Sequence, residues 1–277
     1  MVVAMEDPNS LVSGQGIEYL KQHRVDVIVP CMADQSAQLN IGYIKRHKQN
    51  TPFVRCKLAM SLDGRTGLSN GVSKWITGPA ARADVQKLRA RSCAIVTGVD
   101  TVLADDPAMT VRADQIDVPD IDLATGKQPL RVVLDSHLRI KADAAILNPA
   151  DEVIVICRED GETDAAARDE LASKGVEVIA LPGAGEAGID LAAVMQLLAH
   201  RECNEILVEC GARLAGALVS NGLLDELIIY VGARLLGQSG LPLLELQEFS
   251  AMDQVVGLEF REVRQVGEDL RITAVIK

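Results

Sequence analysis

Residues 57–78 read KLAMSLDGRTGLSNGVSKWITG, and the fold follows from how that run is parsed. With the four residues before it, the run opens as a strand, FVRCKLAMSL, in which Lys57 stands among Val54, Leu58, Ala59 and Met60. Ser61, Asp63, Gly64, Arg65 and Thr66 are turn-forming residues. Pro79 then opens the helix PAARADVQKLRAR, in whose first turn a proline is tolerated. Strand, turn and helix in that order begin an alternating α/β chain.

Working downstream, CAIVTG, RVVLDS, EVIVIC, VEVIAL and EILVEC are expected as strands, and DAAARDELASKG, DLAAVMQLLAH and RLAGALVSNG as helices. DELIIYVGARLL, VVGLEFREVRQVG and DLRITAVIK are expected as closing antiparallel strands. The fold class is therefore α/β: a mostly parallel sheet with an antiparallel edge, flanked by helices. Working upstream, MVVAM and VDVIVPC read as strands, and GIEYLKQH and SAQLNIGYIKRHKQ as helices. This small α/β unit cannot bury a core alone. The expected division is residues 1–50 as an N-terminal piece and residues 51–277 as the main domain.

A hydrophobic content of 48% with only 3% aromatic residues predicts a core of Ala, Val, Leu and Ile. The net charge of −11 argues against nucleic-acid and anionic-membrane partners, yet a few aimed cations would still hold a small anion. No run has the roughly 20 apolar residues of a membrane span, and no leader pattern opens the chain, so the cytoplasm is expected. The six cysteines, Cys31, Cys56, Cys93, Cys157, Cys203 and Cys210, form no C-x-x-C pair and read as reduced core residues. No metal site is expected, because His23, His47, His137 and His200 lie far from any cysteine pair. Apolar surface on the final strands and on the N-terminal piece points to a homodimer.

Several motifs carry two readings each. LPGAGEAG matches G-x-G-x-x-G at Gly183, Gly185 and Gly188, but Pro182 intervenes, and Asp190 is placed to cap a helix that starts after the last glycine. It reads as a surface loop. ILVECGARLAGAL offers either a phosphate cradle or a plain turn between Gly211 and Gly216. Glu209 ends a buried strand, where a carboxylate needs a partner. Lys57 is either a lysine that snorkels from an edge strand or a buried cation suited to hold an anion or relay a proton. Ser73 and Trp75 precede the helix at Pro79 and can line a cleft or pack as core; Arg89 and Arg91 can cap that helix. TVLADDPAMTVR reads as a turn whose Thr101, Asp105, Asp106 and Arg112 suit a ribose and a phosphate, or simply solvent.

Five pieces occur in one order: K-x-x-x-S-L-D-G-R-T, S-x-W-I-T, T-V-L-A-D-D-P-x-x-T-V-R, R-V-V-L-D-S and V-E-x-G-x-x-L-A-G-A-L. Together they resemble the reductase domain of the bifunctional riboflavin-biosynthesis protein RibD, a relative of dihydrofolate reductase. The resemblance covers nearly the whole chain. It implies a dihydrofolate-reductase-like sheet and the NADPH-dependent reduction of 5-amino-6-(5-phosphoribosylamino)uracil to its ribityl counterpart. It implies NADPH contacts at Ala59, Trp75, Thr101, Asp105, Ser136 and the loop Gly211, Ala212, Arg213, Leu214, Ala215, Gly216 and Ala217. Substrate contacts are implied at Ser73, Arg89, Met109, Arg112 and Glu209, with the arginines on the phosphate. Lys57 matches the site lysine, and Lys57 or Asp105 would donate the proton. Arg213 departs from the small residues usual in that loop. The N-terminal piece, with V-A-M-x-D-P-N, resembles the end of the family's zinc deaminase domain. Its H-x-E followed by P-C-x8-C is absent, and a small domain of on the order of 100 residues is expected ahead of Met1. Two rival readings are a dihydrofolate-reductase-type enzyme acting on another pyrimidine or pteridine, and a catalytically silent chain that binds nucleotide or supports assembly.

Overall fold

The computed structural model describes residues 1–116, 128–160, 165–185 and 188–277. Asp164, at the head of an expected helix, and residues 186–187 of the glycine loop lie outside the described residues. The described chain falls into two compact units, one comprising Met1–Phe53 with Met195–Glu205, the other Val54–Val194 with Ile206–Lys277.

The N-terminal segment holds helices α1 (Gln15–Gln22), α2 (Ala33–Leu39) and α3 (Ile41–Gln49). Its expected strands shrink to one parallel bridge, Val2 to Ile28. The expected single helix over SAQLNIGYIKRHKQ is two, because the backbone leaves helical geometry at Asn40. Within this unit Arg46 Nε donates to Asn204 Oδ1 at 2.6 Å and Tyr43 Oη to Asp7 Oδ1 at 3.0 Å. Gly42 has no room for a side chain, since a Cβ there would overlap the Asn204 carbonyl.

The sequence then runs β1 (Phe53–Ser61), β2 (Arg65–Gly67), α4 (Pro79–Arg91), β3 (Ala94–Gly98), α5 (Val99–Asp105), β4 (Leu130–Leu134), β5 (Val153–Arg158), α6 (Ala165–Ser173) and β6 (Glu177–Leu181). Next come β7 (Gly183–Ala184), β8 (Gly188–Ile189), α7 (Leu191–His200), β9 (Glu205–Glu209), α8 (Ala212–Ser220) and β10 (Glu226–Gly232). The chain closes with β11 (Leu241–Pro242), β12 (Leu258–Val266) and β13 (Asp269–Ile276).

Nine strands form one sheet in the order β12-β13-β10-β1-β9-β3-β4-β5-β6. At one edge β13 pairs antiparallel with both β10 and β12, as expected of the three closing strands, while β10 on its other side runs parallel to β1. The reason is the connection: α8 carries the chain back along the sheet before β10 begins, and a strand entered from a helical crossover lies parallel to its neighbour. TVLADDP, expected as a turn, contributes helix α5. LPGAGEAG is a minimal hairpin of β7 and β8, and Asp190 caps α7 by accepting the N–H groups of Ala192 (2.8 Å) and Ala193 (3.2 Å).

On one sheet face Ile95, Val133, Val155, Leu207, Ile228 and Tyr230 pack with Ala81, Val85 and Leu88 of α4 and with Val99 and Val102 of α5. Each such aliphatic side chain contributes about 1.5–3 kcal/mol on burial. A polar staple ties α4 to the antiparallel edge: Asp84 accepts from Tyr230 Oη at 2.7 Å, Arg264 Nη2 at 2.9 Å and Arg271 Nη1 at 3.0 Å. Burial alone would raise the Asp84 pKa, but these donors hold it below the ordinary value. Burial, together with the Asp84 charge, lifts the Tyr230 phenol well above its own.

Three expected core cysteines are buried (Cys56, Cys157 and Cys203), Cys31 and Cys210 are half-buried, and Cys93 is exposed. Cys93 lies between α4 and β3, outside any strand.

Candidate active site

Side chains two apart on a strand share a face. Leu207 belongs to the core beneath α4, so Glu209, two residues on, faces that helix from the last position of β9. Lys57 pairs in register with Ile228 and Ala59 with Tyr230, both of the same core cluster, which turns Lys57 and Ala59 toward the same side. From α4, Arg89 reaches across: its Nε donates to Glu209 Oε1 at 2.6 Å and its Nη2 to Glu209 Oε2 at 3.1 Å. Its remaining nitrogen, Nη1, donates to the Thr110 carbonyl at 2.9 Å. Burial pushes the Glu209 pKa up, but the Arg89 guanidinium and the Lys57 ammonium outweigh it and hold the carboxyl below its usual range. Arg89 thus does more than cap its helix: three of its five N–H groups serve Glu209 and Thr110.

The Gly211 turn follows immediately. Gly211 is the extended N-cap of α8, no side chain caps the helix, and no atom lies within 4 Å of where a Cβ would stand. Free N–H groups and open space at a helix start fit an anion. Gly216 has a different reason: a Cβ there would overlap the carbonyl oxygen of Glu245, whose own N–H donates to the Ala212 carbonyl at 3.0 Å. Ala215 and Gly216 are buried, while Arg213 is exposed on the first turn.

The chain before Glu245 is fastened at its other end by Asp63. That carboxylate accepts from the Ser61 hydroxyl and from the N–H groups of Leu236 (3.0 Å) and Gly237 (2.7 Å). These donors, Ser61 first, bring the Asp63 pKa down to about 2. The segment 234–245 thus forms a strap from the β1 turn to the first turn of α8.

Trp75 is 61% exposed, with the Arg82 guanidinium 4.3 Å from its ring centroid. Its loop abuts β10, since a Cβ on Gly232 would overlap the Ile76 carbonyl oxygen, and Gly232 is in register with Ser61 at the end of β1. Lys74 Nζ lies 3.0 Å from Asp105 Oδ1, joining this loop to α5. Thr101 and Asp105 stand four apart on that helix and share a face. Ser73 is half-buried in the same loop, and Arg112 is exposed. Ser136 follows β4 two strands from β9, its carbonyl accepting from Arg158 N–H at 3.3 Å. Met109, at φ 50°, buries its side chain in the core.

Lys74, Gln86 and Gln128 were not legible as site residues. Gln86 carried one signal, its place three residues before Arg89 on the same face of α4. No group of three or more metal-binding side chains occurs among the described residues, and no described helix is long and apolar enough to cross a membrane.

Fold and cluster together define an α/β domain with a mostly parallel sheet and a charged cluster beside an open helix start. The profile of the RibD C-terminal domain matches residues 52–272, and the chain belongs to that family. It is 38% identical to the riboflavin biosynthesis protein RibD of Escherichia coli K12, over 98% of this chain and 72% of the relative. The protein of the same name from Haemophilus influenzae is 37% identical over 99% of this chain and 72% of its own length. The solved structure of Acinetobacter baumannii RibD superposes with a TM-score of 0.88 at 38% identity, covering 100% of this chain and 72% of that one.

Proposed function

We propose that this chain uses NADPH to reduce 5-amino-6-(5-phosphoribosylamino)uracil to 5-amino-6-(5-phosphoribitylamino)uracil in riboflavin biosynthesis. The reading is carried by one observation: Lys57, Glu209 and Arg89 meet beside the uncapped Gly211 turn, in a chain of the RibD C-terminal domain family. The dihydronicotinamide, when bound, supplies a hydride. C1′ of the open-chain imine accepts it, and the adjoining nitrogen takes a proton.

The residues divide the work as follows. The N–H groups of Ala212 to Leu214, with the Arg213 charge, would hold a cofactor phosphate. Ala59, Trp75, Thr101, Asp105 and Ser136 complete that side. Lys57 donates the proton, because Asp105 is engaged with Lys74. Glu209, fixed by Arg89, orients Lys57 and the substrate. Ser73, the Met109 backbone and Arg112 take the ribose phosphate ester, Arg112 through its exposed guanidinium. The same reading places the chain in the cytoplasm. It also makes it a homodimer in which a second copy covers Leu258, Phe260 and Val263, all exposed on the sheet-edge strand β12. No deamination is expected of these 277 residues, which lack the zinc motif pair.

The test is direct. The purified chain, given NADPH and the deaminated substrate, consumes reduced nicotinamide, and Lys57→Ala lowers kcat by at least about 10²-fold. Tight NADPH binding by the unaltered chain with no turnover would overturn the reading in favour of a silent binder.

A further inference from the structure

Residues 110–112 lie outside any helix or strand and pair with no strand among the described residues. Backbone groups in such a place must find other partners, and here side chains supply them. Arg89 Nη1 donates to the Thr110 carbonyl at 2.9 Å. The Gln128 amide makes both bonds of a strand partner to Val111, accepting its N–H at 2.7 Å and donating to its carbonyl at 3.2 Å. Gln86, only 5% exposed on α4, accepts the Arg112 N–H at 3.0 Å. A buried glutamine on a helix otherwise packed on an aliphatic core costs folding free energy unless its polar atoms are used. This one is spent on the backbone of an exposed arginine.

Two amides and one guanidinium thus fix three consecutive residues, Thr110 to Arg112, while the Arg112 side chain at their end stays in solvent. An arginine on a rigid backbone loses less freedom when it binds a phosphate fork-wise than one on a loose loop. We propose that Gln86 and Gln128 are positioning residues that set the preference of this site for a phosphorylated over an unphosphorylated ligand, by holding Arg112 in place from beneath. This rests on the reading of Arg112 as the phosphate ligand given above. Neither glutamine touches the ligand, and neither takes part in proton or hydride transfer.

The experiment pairs kinetics with a binding measurement that needs no turnover. Gln86→Met keeps the volume and removes the acceptor; Gln128→Ala attacks the same segment from a half-exposed position that folding tolerates. Each raises KM for the phosphorylated substrate by about five- to tenfold, the equivalent of one lost hydrogen bond, with kcat little changed. KM for the 5′-dephosphorylated substrate stays as it was. In calorimetry with ribose 5-phosphate against ribose, the same variants lose the phosphate-dependent part of the affinity. Arg112→Ala loses it too, and adding Gln86→Met to that variant causes no further loss. Variants that weaken both ligands equally, that lower kcat alone, or that leave both affinities unchanged would overturn the proposal. If the unaltered chain turns over neither substrate but binds ribose 5-phosphate in a Gln86-dependent way, the clamp stands and the assigned reaction falls.

Discussion

Gly216 lies so close to Glu245 that any side chain at the glycine would collide with the Glu245 carbonyl oxygen. Gly211, five residues earlier in the same motif, has only open space where its Cβ would be. The two glycines therefore answer to different demands. Gly211→Ala should leave the melting temperature nearly unchanged, its φ of −80° suiting alanine, while weakening NADPH binding by intruding on the anion's place. Gly216→Ala should cost about 1–3 kcal/mol in urea unfolding through overpacking. The opposite pattern would mean that the phosphate lies over Gly216.

Removing one member of the Arg89–Glu209 pair leaves the other charged inside the protein. Arg89→Ala and Glu209→Ala should each destabilise by about 3–5 kcal/mol, whereas a double replacement by apolar residues of similar volume should cost less than the sum. Chemical denaturation of the three variants measures this. Thr110 gives a second readout, since Arg89→Ala also frees its carbonyl and should speed hydrogen exchange at residues 110–112.

Three carboxylates, Asp63, Asp84 and Glu209, have folded-state pKa values below their ordinary ones, Asp63 at about 2. A depressed folded value means that the unfolded chain binds the proton more readily. The stabilisation is then present above the ordinary carboxylate range, about pH 4, and is lost as pH falls toward the lowered values. Stability should drop through that window with net proton uptake on unfolding. Asp63→Asn should flatten the lowest part of the curve and loosen the strap 234–245, seen as faster proteolysis there. An acid limb identical to that of the unaltered chain would sink this account.

Thiol accessibility separates the cysteines. Cys93, exposed between α4 and β3, should react with an aromatic disulfide reagent in the native state, and Cys56, Cys157 and Cys203 only on unfolding. Cys210 should lag despite partial exposure, because its hydrogen bond with Cys56, and burial after it, raise its pKa well above the usual thiol value. Mass spectrometry of the labelled peptides reads the order.

Much of the architecture could be read ahead of the coordinates, because strand and helix periodicities are local. FVRCKLAMSL, PAARADVQKLRAR and the strand–glycine–helix of ILVECGARLAGAL all stand where their patterns put them. That β10 would also pair parallel with β1 was not legible, since β-strand alternation says nothing about which neighbour the strand will meet. Lys57 and Glu209 were visible as charges that burial would penalise without partners. Arg89 as the partner of Glu209 was not, because 120 residues separate them and only the fold brings them together. Gln128 is the extreme case, a glutamine with no local pattern that does the work of a missing strand.

The commitment of Arg89 has a practical meaning for anyone who wishes to redesign the pocket. A guanidinium whose three nitrogens already serve Glu209 and Thr110 keeps only two N–H groups for a ligand and cannot turn toward a new one without disturbing both partners. Engineering for a bulkier or differently charged sugar should therefore begin at solvent-facing Arg112 and leave Arg89 alone.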